Sequence, residues 1–221
     1  MARLRRFGRT ATFVTLQNGF DNAELIGKTA SRVIAGTTAH GVTFLGPGEI
    51  RHAGVGDTVL GAWKGVQPSD VVRLRDIFEE AGIPTRISDD VRSELWAKLV
   101  VNASINPLAA LAEVPNGTLV RDPELLQLLE AVCRETAAVA HADGAHVEAG
   151  QLVRRARLVA RRTAANRASM LQDFDHHRRT EVDAITGAVL RTAEARGLDA
   201  PLNRALYALA KAKERELLAI R

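Results

Sequence analysis

The chain has 221 residues, 46% apolar and 25% charged, the composition of an ordinary globular protein with one large domain or two small ones. No run of about 18 apolar residues occurs, which excludes a transmembrane helix. The single cysteine, Cys133, excludes a disulfide framework and a cysteine-based zinc site, and fits a reducing, cytoplasmic setting. Thirty Lys and Arg against 26 Asp and Glu leave a net charge of +4, too weak and too scattered for a nucleic-acid binder.

The one dense basic run is at the start: Arg3, Arg5, Arg6 and Arg9, with no acid before Asp21. No apolar stretch of the kind a secretory signal needs follows it. It reads as a solvated tail, with a mitochondrial presequence as the other reading. Thr12-Phe13-Val14-Thr15-Leu16 is then a strand that ends in an Asn18-Gly19 turn. Arg32 to Thr38 and Val42 to Leu45 read as strands, and Gly46-Pro47-Gly48 breaks the chain. Glu49 to His52 and Thr58 to Ala62 read as a hairpin around Gly54-Val55-Gly56-Asp57. Ser69 to Ala81 is a helix with Ser69 as its N-cap and Gly82-Ile83-Pro84 as its stop. Thr85 to Ser88 is a short strand.

Beyond this point the composition changes. Twelve of the 17 glycines precede residue 88, and the remainder of the chain is rich in Ala, Leu, Glu and Arg, which are good helix formers. Helices are expected over 89–113, 122–143, 146–165, 167–196 and 200–220. Pro123 and Pro201 suit first-turn positions, and Gly144 and Gly197 suit helix ends. The fold class is therefore α/β followed by all-α, with domains of 1–88 and 89–221.

The most informative stretch runs from Leu95 to Leu108. It is strongly apolar, yet Lys98, Asn102 and Asn106 recur at intervals of four. On a helix, that spacing puts one cation and two amides on a single face. An exposed face normally carries Glu, Lys and Arg, whereas Asn is a poor helix former. The stripe therefore reads as lining a ligand cleft rather than as solvated surface. Asn166, Ser169 and Glu181 form a second polar segment, which by itself is more readily explained by caps and solvated positions. His176-His177 diverge by about 100° on a helix, so they do not make a metal pair. His40 and His52 have no triad partners, and Cys133 reads as a small packed side chain. Neither a nucleophile elbow, a Walker loop nor HExxH is present.

At these residues the chain resembles the ketopantoate reductases (2-dehydropantoate 2-reductases). The resemblance is carried by Leu16-Gln17-Asn18-Gly19, Gly36-Thr37-Thr38-Ala39-His40-Gly41, Gly46-Pro47-Gly48 and His52-Ala53-Gly54. It continues through Glu94 to Leu99, Asn106-Pro107-Leu108 and Val114-Pro115-Asn116-Gly117. It closes with Ser169 to Asp173, Arg179 to Gly187 and Pro201-Leu202-Asn203. It implies a Rossmann-like dinucleotide-binding domain followed by a helical C-terminal domain of the 6-phosphogluconate dehydrogenase-like type, which binds substrate and serves in dimerisation. It also implies NADPH-dependent reduction of ketopantoate to pantoate, on the route to pantothenate and coenzyme A. Lys98 corresponds to the family's general acid and Glu181 to its active-site carboxylate. Asn102, Asn106, Asn116 and Ser169 correspond to substrate-binding groups, and Asn18 with the backbone near Val42 to cofactor contacts. No metal is implied.

One departure stands out. The strand, Gly-rich turn and helix that hold a dinucleotide pyrophosphate are not found, and neither Gly46-Pro47-Gly48 nor Gly54-Val55-Gly56 has the right offsets. The expectation is a truncated Rossmann-like domain that binds NADPH weakly and turns over slowly or not at all. The alternative is a non-catalytic remnant, a helical binding or dimerisation module. The expected partner is a small 2-oxo acid, with no nucleic acid and no membrane. An open sheet edge or the helical part could support a homodimer.

Overall fold

The computed structural model describes residues 8–219. Arg3, Arg5 and Arg6 of the basic run lie outside them, and Arg9 is exposed. The chain divides into two compact units. The first comprises the residues up to Gln17 and Asp21–Leu95; the second comprises Asn18–Phe20 and the chain from Trp96 onward.

The first unit contains β1 (Thr12–Thr15), α1 (Asn22–Gly27), β2 (Arg32–Thr38), β3 (Gly41–Gly46), β4 (Glu49–Gly54), β5 (Thr58–Lys64), α2 (Pro68–Glu80) and β6 (Thr85–Ile87). Four strands form one sheet in the order β1-β2-β5-β6. β1 and β2 are parallel, with Thr12 opposite Arg32, and β5 and β6 are parallel, with Thr58 opposite Thr85. Helical connections, α1 and α2, make both parallel pairings possible. β2 and β5 are antiparallel, with Gly36 opposite Leu60. Val33-Ile34-Ala35 is buried throughout, a continuous apolar run rather than an alternating one, because both faces of β2 are covered. Ile34, Leu60 and Val71 form the core, and Leu16, Val66, Leu74 and Ile87 pack on it.

Two sequence expectations are corrected in this unit. The hairpin is β3–β4, with Val42 opposite His52 and the turn at Pro47-Gly48, where Gly48 has φ +81°. β4 does not pair with β5. Glu49, Ile50, Arg51 and His52 are exposed, whereas Thr58, Val59 and Leu60 are buried, so β5 joins the core sheet and the polar β4 stays outside it. The N-cap of α2 is Gln67, not Ser69. Pro68 takes the first helical position, where its missing N–H costs nothing, and the Gln67 N–H donates to Asp70 Oδ2 at 2.9 Å. The strand-rich part also joins His40 Nδ1 to His52 Nε2 at 3.0 Å, a pairing that spacing did not suggest.

The second unit holds most of α3 (Val91–Leu111), followed by α4 (Thr118–Arg121), α5 (Pro123–Ala142), α6 (Ala149–Arg162), α7 (Ser169–Asp175), α8 (Thr186–Ala195) and α9 (Pro201–Ala219). Asp122 caps α5 by accepting from the N–H groups of Glu124 and Leu125, and Pro123 follows it as expected. Gly144 and Gly197 end their helices with φ +84° and +66°. α5 is central: Leu129, Val132, Cys133, Thr136, Ala137, Val139 and Ala140 are buried along it, and α4, α6, α8 and α9 pack around it. Burial pushes the Cys133 thiol up to about 11, so it is an inert packing group.

The single helix expected over 167–196 is instead two, α7 and α8, separated by residues 176–185. His177 has φ +52° at the start of this break. Within it, the Thr180 N–H and hydroxyl both donate to Glu214 of α9, at 2.7 and 2.8 Å. Those long-range bonds give the Thr180 N–H a partner outside any helix, so the backbone there is satisfied without continuing α7.

Candidate active site

α3 is anchored by Trp96, which is fully buried. Its ring lies 4.5 Å from that of Phe20, and its Nε1–H donates to Asp143 Oδ2 at 3.0 Å. Arg196 closes on the other oxygen of Asp143 with two N–H groups. Leu99, Val100, Val101, Ala103 and Ile105 are also buried. This packing fixes the rotation of the helix, so Lys98, Asn102 and Asn106 fall on one face as their spacing implied. Lys98 and Asn102 are half-buried, and Asn106 is 8% exposed.

Lys98 is the electrostatic centre of this face. Burial holds its pKa below the usual lysine range, and the negative charge of Glu181 opposes that fall. Glu181 lies in the 176–185 break, and its Oε2 accepts from Asn18 Nδ2 at 2.9 Å. Asn18 is placed by the glycine that follows it. Gly19 has φ +97°, and a Cβ there would sit 2.7 Å from the carbonyl oxygen of Ala184. Only glycine allows the Asn18 turn to press so closely on the Glu181 segment. Asn18, Lys98 and Glu181 thus form one cluster within the second unit.

Asn106 and Ser169 form a second pair. Asn106 Nδ2 donates to Ser169 Oγ at 3.4 Å, and Ser169 is the exposed first residue of α7. The Asn102 carboxamide, one turn from both Lys98 and Asn106, makes no hydrogen bond among the described residues. Asn116 is placed differently. Its Nδ2 donates to Thr163 Oγ1 at 2.9 Å and its N–H to the Asn166 carbonyl at 3.0 Å, ties that pin the loop before α4 to the end of α6. Its Oδ1 is buried without a hydrogen-bond partner among the described residues. Val42 lies in the first unit on β3, 55% exposed.

Asp173 was given no role in the sequence, yet it belongs with this group. Burial raises its pKa, and the like charge of Glu181 raises it further. Its signal was its place on α7, one turn from Ser169 on the same face. Among the described residues no cluster of three or more His, Cys, Asp or Glu could hold a metal ion. His176 ends α7 with its Nδ1 2.6 Å from the Gln172 carbonyl oxygen.

A family model described as ketopantoate reductase PanE/ApbA C terminal matches residues 90–214, and one described as ketopantoate reductase PanE/ApbA matches residues 3–65. The chain belongs to the ketopantoate reductase family. The 2-dehydropantoate 2-reductase of Halobacterium salinarum is 38% identical over 208 residues, 93% of this chain and 68% of the relative. That of Archaeoglobus fulgidus is 36% identical over 200 residues, 90% of this chain and 67% of the relative. The chain therefore spans about two thirds of the length of these relatives. The crystal structure of a PanE/ApbA family ketopantoate reductase from Ralstonia eutropha aligns with a TM-score of 0.84 at 33% identity, covering 94% of this chain and 68% of that one. The architecture of a Rossmann-like α/β part followed by a helical part is that of the family.

Proposed function

We propose that this chain reduces the C2 carbonyl of 2-dehydropantoate to the hydroxyl of pantoate, with NADPH as reductant, in pantothenate and coenzyme A biosynthesis. The observation that carries this reading is the half-buried Lys98, held in the field of Glu181 on a helix face otherwise lined by amides. Residues 1–88 would serve the dinucleotide and 89–221 the substrate. The family is one of NAD(P)H-dependent reductases, and the choice of NADPH is the finer proposal.

The groups present suit the nicotinamide end of such a cofactor. The Asn18 carboxamide is fixed beside a carboxylate by the Gly19 contact. When bound, the cofactor would supply a hydride to C2. The Lys98 ammonium donates a proton to the carbonyl oxygen as negative charge develops there. Glu181 has two tasks: it holds Asn18, and its charge keeps Lys98 protonated against the pull of burial. Asn106 and Ser169, with Asn102 beside them, offer amide and hydroxyl donors to the substrate carboxylate and hydroxyl. Asn116, with its Oδ1 buried, would serve by holding the loop before α4 against the end of α6.

The test is 2-dehydropantoate-dependent oxidation of NADPH by the purified chain, with NADH and other 2-oxo acids as parallel arms. The expected result is turnover above the protein-free rate, fastest with 2-dehydropantoate and NADPH. Faster reduction of a different 2-oxo acid, or oxidation indifferent to the 2-oxo acid, would overturn it. Titration of NADPH into the chain reads cofactor affinity separately.

A further inference from the structure

Glu214 is a carboxylate of α9 that is 5% exposed, 33 positions along the chain from Glu181, and no part of the chemistry above uses it. Burying a carboxylate is costly unless strong hydrogen bonds and charge compensate. Here the compensation is complete and directional. Oε2 accepts both donors of Thr180, and Oε1 accepts from Lys211 Nζ at 2.8 Å. Burial alone would raise its pKa, but the bonds from Lys211 and Thr180 outweigh burial and hold it below the usual carboxylate range.

The same cation continues the network. Lys211 Nζ also bonds Asp183 Oδ2 at 3.0 Å, and the Tyr207 hydroxyl donates to Asp183 Oδ1 at 2.6 Å. Arg191 of α8 donates to the Asp183 carbonyl at 3.1 Å. Residues 180 and 183 are therefore tied to α8 and α9, and they bracket Glu181. Glu181 itself is exposed, sits outside any helix, and bonds Asn18. A short turn, in which the Glu181 carbonyl accepts from the N–H groups of Ala184 and Ile185, and the buried Val182 and Ile185 seat this segment, and the ties of residues 180 and 183 fasten it on either side of Glu181.

We propose that Glu214 is a positioning residue. By taking both donors of Thr180 it holds residues 180–185 so that the Glu181 carboxylate stays on Asn18 and within electrostatic reach of Lys98. This rests on the proposed reduction for its catalytic consequence, but the anchoring can be read without turnover. A shift of about 1 Å in a catalytic group lowers turnover by up to about 100-fold, so a loosened segment should be felt in kcat.

The experiment combines amide hydrogen exchange with kinetics on the full chain. Glu214→Gln keeps the shape and removes the charge, Thr180→Val removes one donor, and Thr180→Ser keeps both. Glu214→Gln and Thr180→Val are expected to speed exchange at the amides of residues 180–185, about tenfold or more, while α5 is unchanged and Thr180→Ser matches the parent. In the same variants kcat for 2-dehydropantoate is expected to fall about 10- to 100-fold with little change in KM. Adding Glu214→Gln to Glu181→Gln should then cost nothing further, because both act through one carboxylate. Unchanged exchange at 180–185, faster exchange throughout the helical unit, or an undiminished loss in the Glu181→Gln background would each overturn the proposal. Selective loosening in a parent chain that does not reduce 2-dehydropantoate would instead remove the proposed function and leave the anchoring standing.

Discussion

Lys98 and Glu181 are brought to one site by two unlike regions. On α3, a 21-residue helix, regular backbone and a packed apolar surface set the direction of Lys98, with Trp96 as the fixed point. In the 176–185 segment the backbone is irregular, and side chains of α8 and α9 hold Thr180 and Asp183 on either side of Glu181. A cation placed by packing should tolerate any change that leaves the core intact. An anion placed by hydrogen bonds should depend on particular residues far along the chain.

That difference can be broken at several points. Lys98→Ala removes the proton donor while leaving the packing of α3 untouched; kcat is expected to fall by about 10²–10⁴ in a steady-state assay, with the melting temperature little changed. Trp96→Ala does the reverse. It empties a fully buried site and removes the indole donor to Asp143 Oδ2, and is expected to cost about 3–5 kcal/mol in denaturant unfolding. Ser169→Ala touches neither framework. It removes one hydroxyl from the Asn106 pair, and KM for 2-dehydropantoate is expected to rise about tenfold with a smaller change in kcat, the scale of one hydrogen bond to a charged ligand.

The same contrast explains what could be read in advance. The stripe of Lys98, Asn102 and Asn106 was legible because helical period converts spacing into a shared face. The strand Arg32–Thr38 and the starts of α5 and α9 were legible because apolar runs and Pro positions are local signals. The break between α7 and α8 was not, because the Thr180–Glu214 bonds span 34 residues and local propensity favours one continuous helix. The β3–β4 pairing was missed for a similar reason. Gly46-Pro47-Gly48 was read as a break, when the exposed side chains of β4 leave it no place in the core sheet. The role of Gly19 showed only as a turn signal, since its contact with Ala184 joins distant parts of the chain.

The pH dependence of kcat, measured for the parent chain and for Glu181→Gln, tests the central claim most directly. Lys98 must be protonated to donate, so kcat falls as pH rises through its pKa, which burial holds below the usual 10.5. The charge of Glu181 raises that pKa, so removing the charge lowers it further. The account predicts that the alkaline fall in kcat begins at a lower pH in Glu181→Gln than in the parent. An alkaline limb at the same or a higher pH in the variant would contradict it.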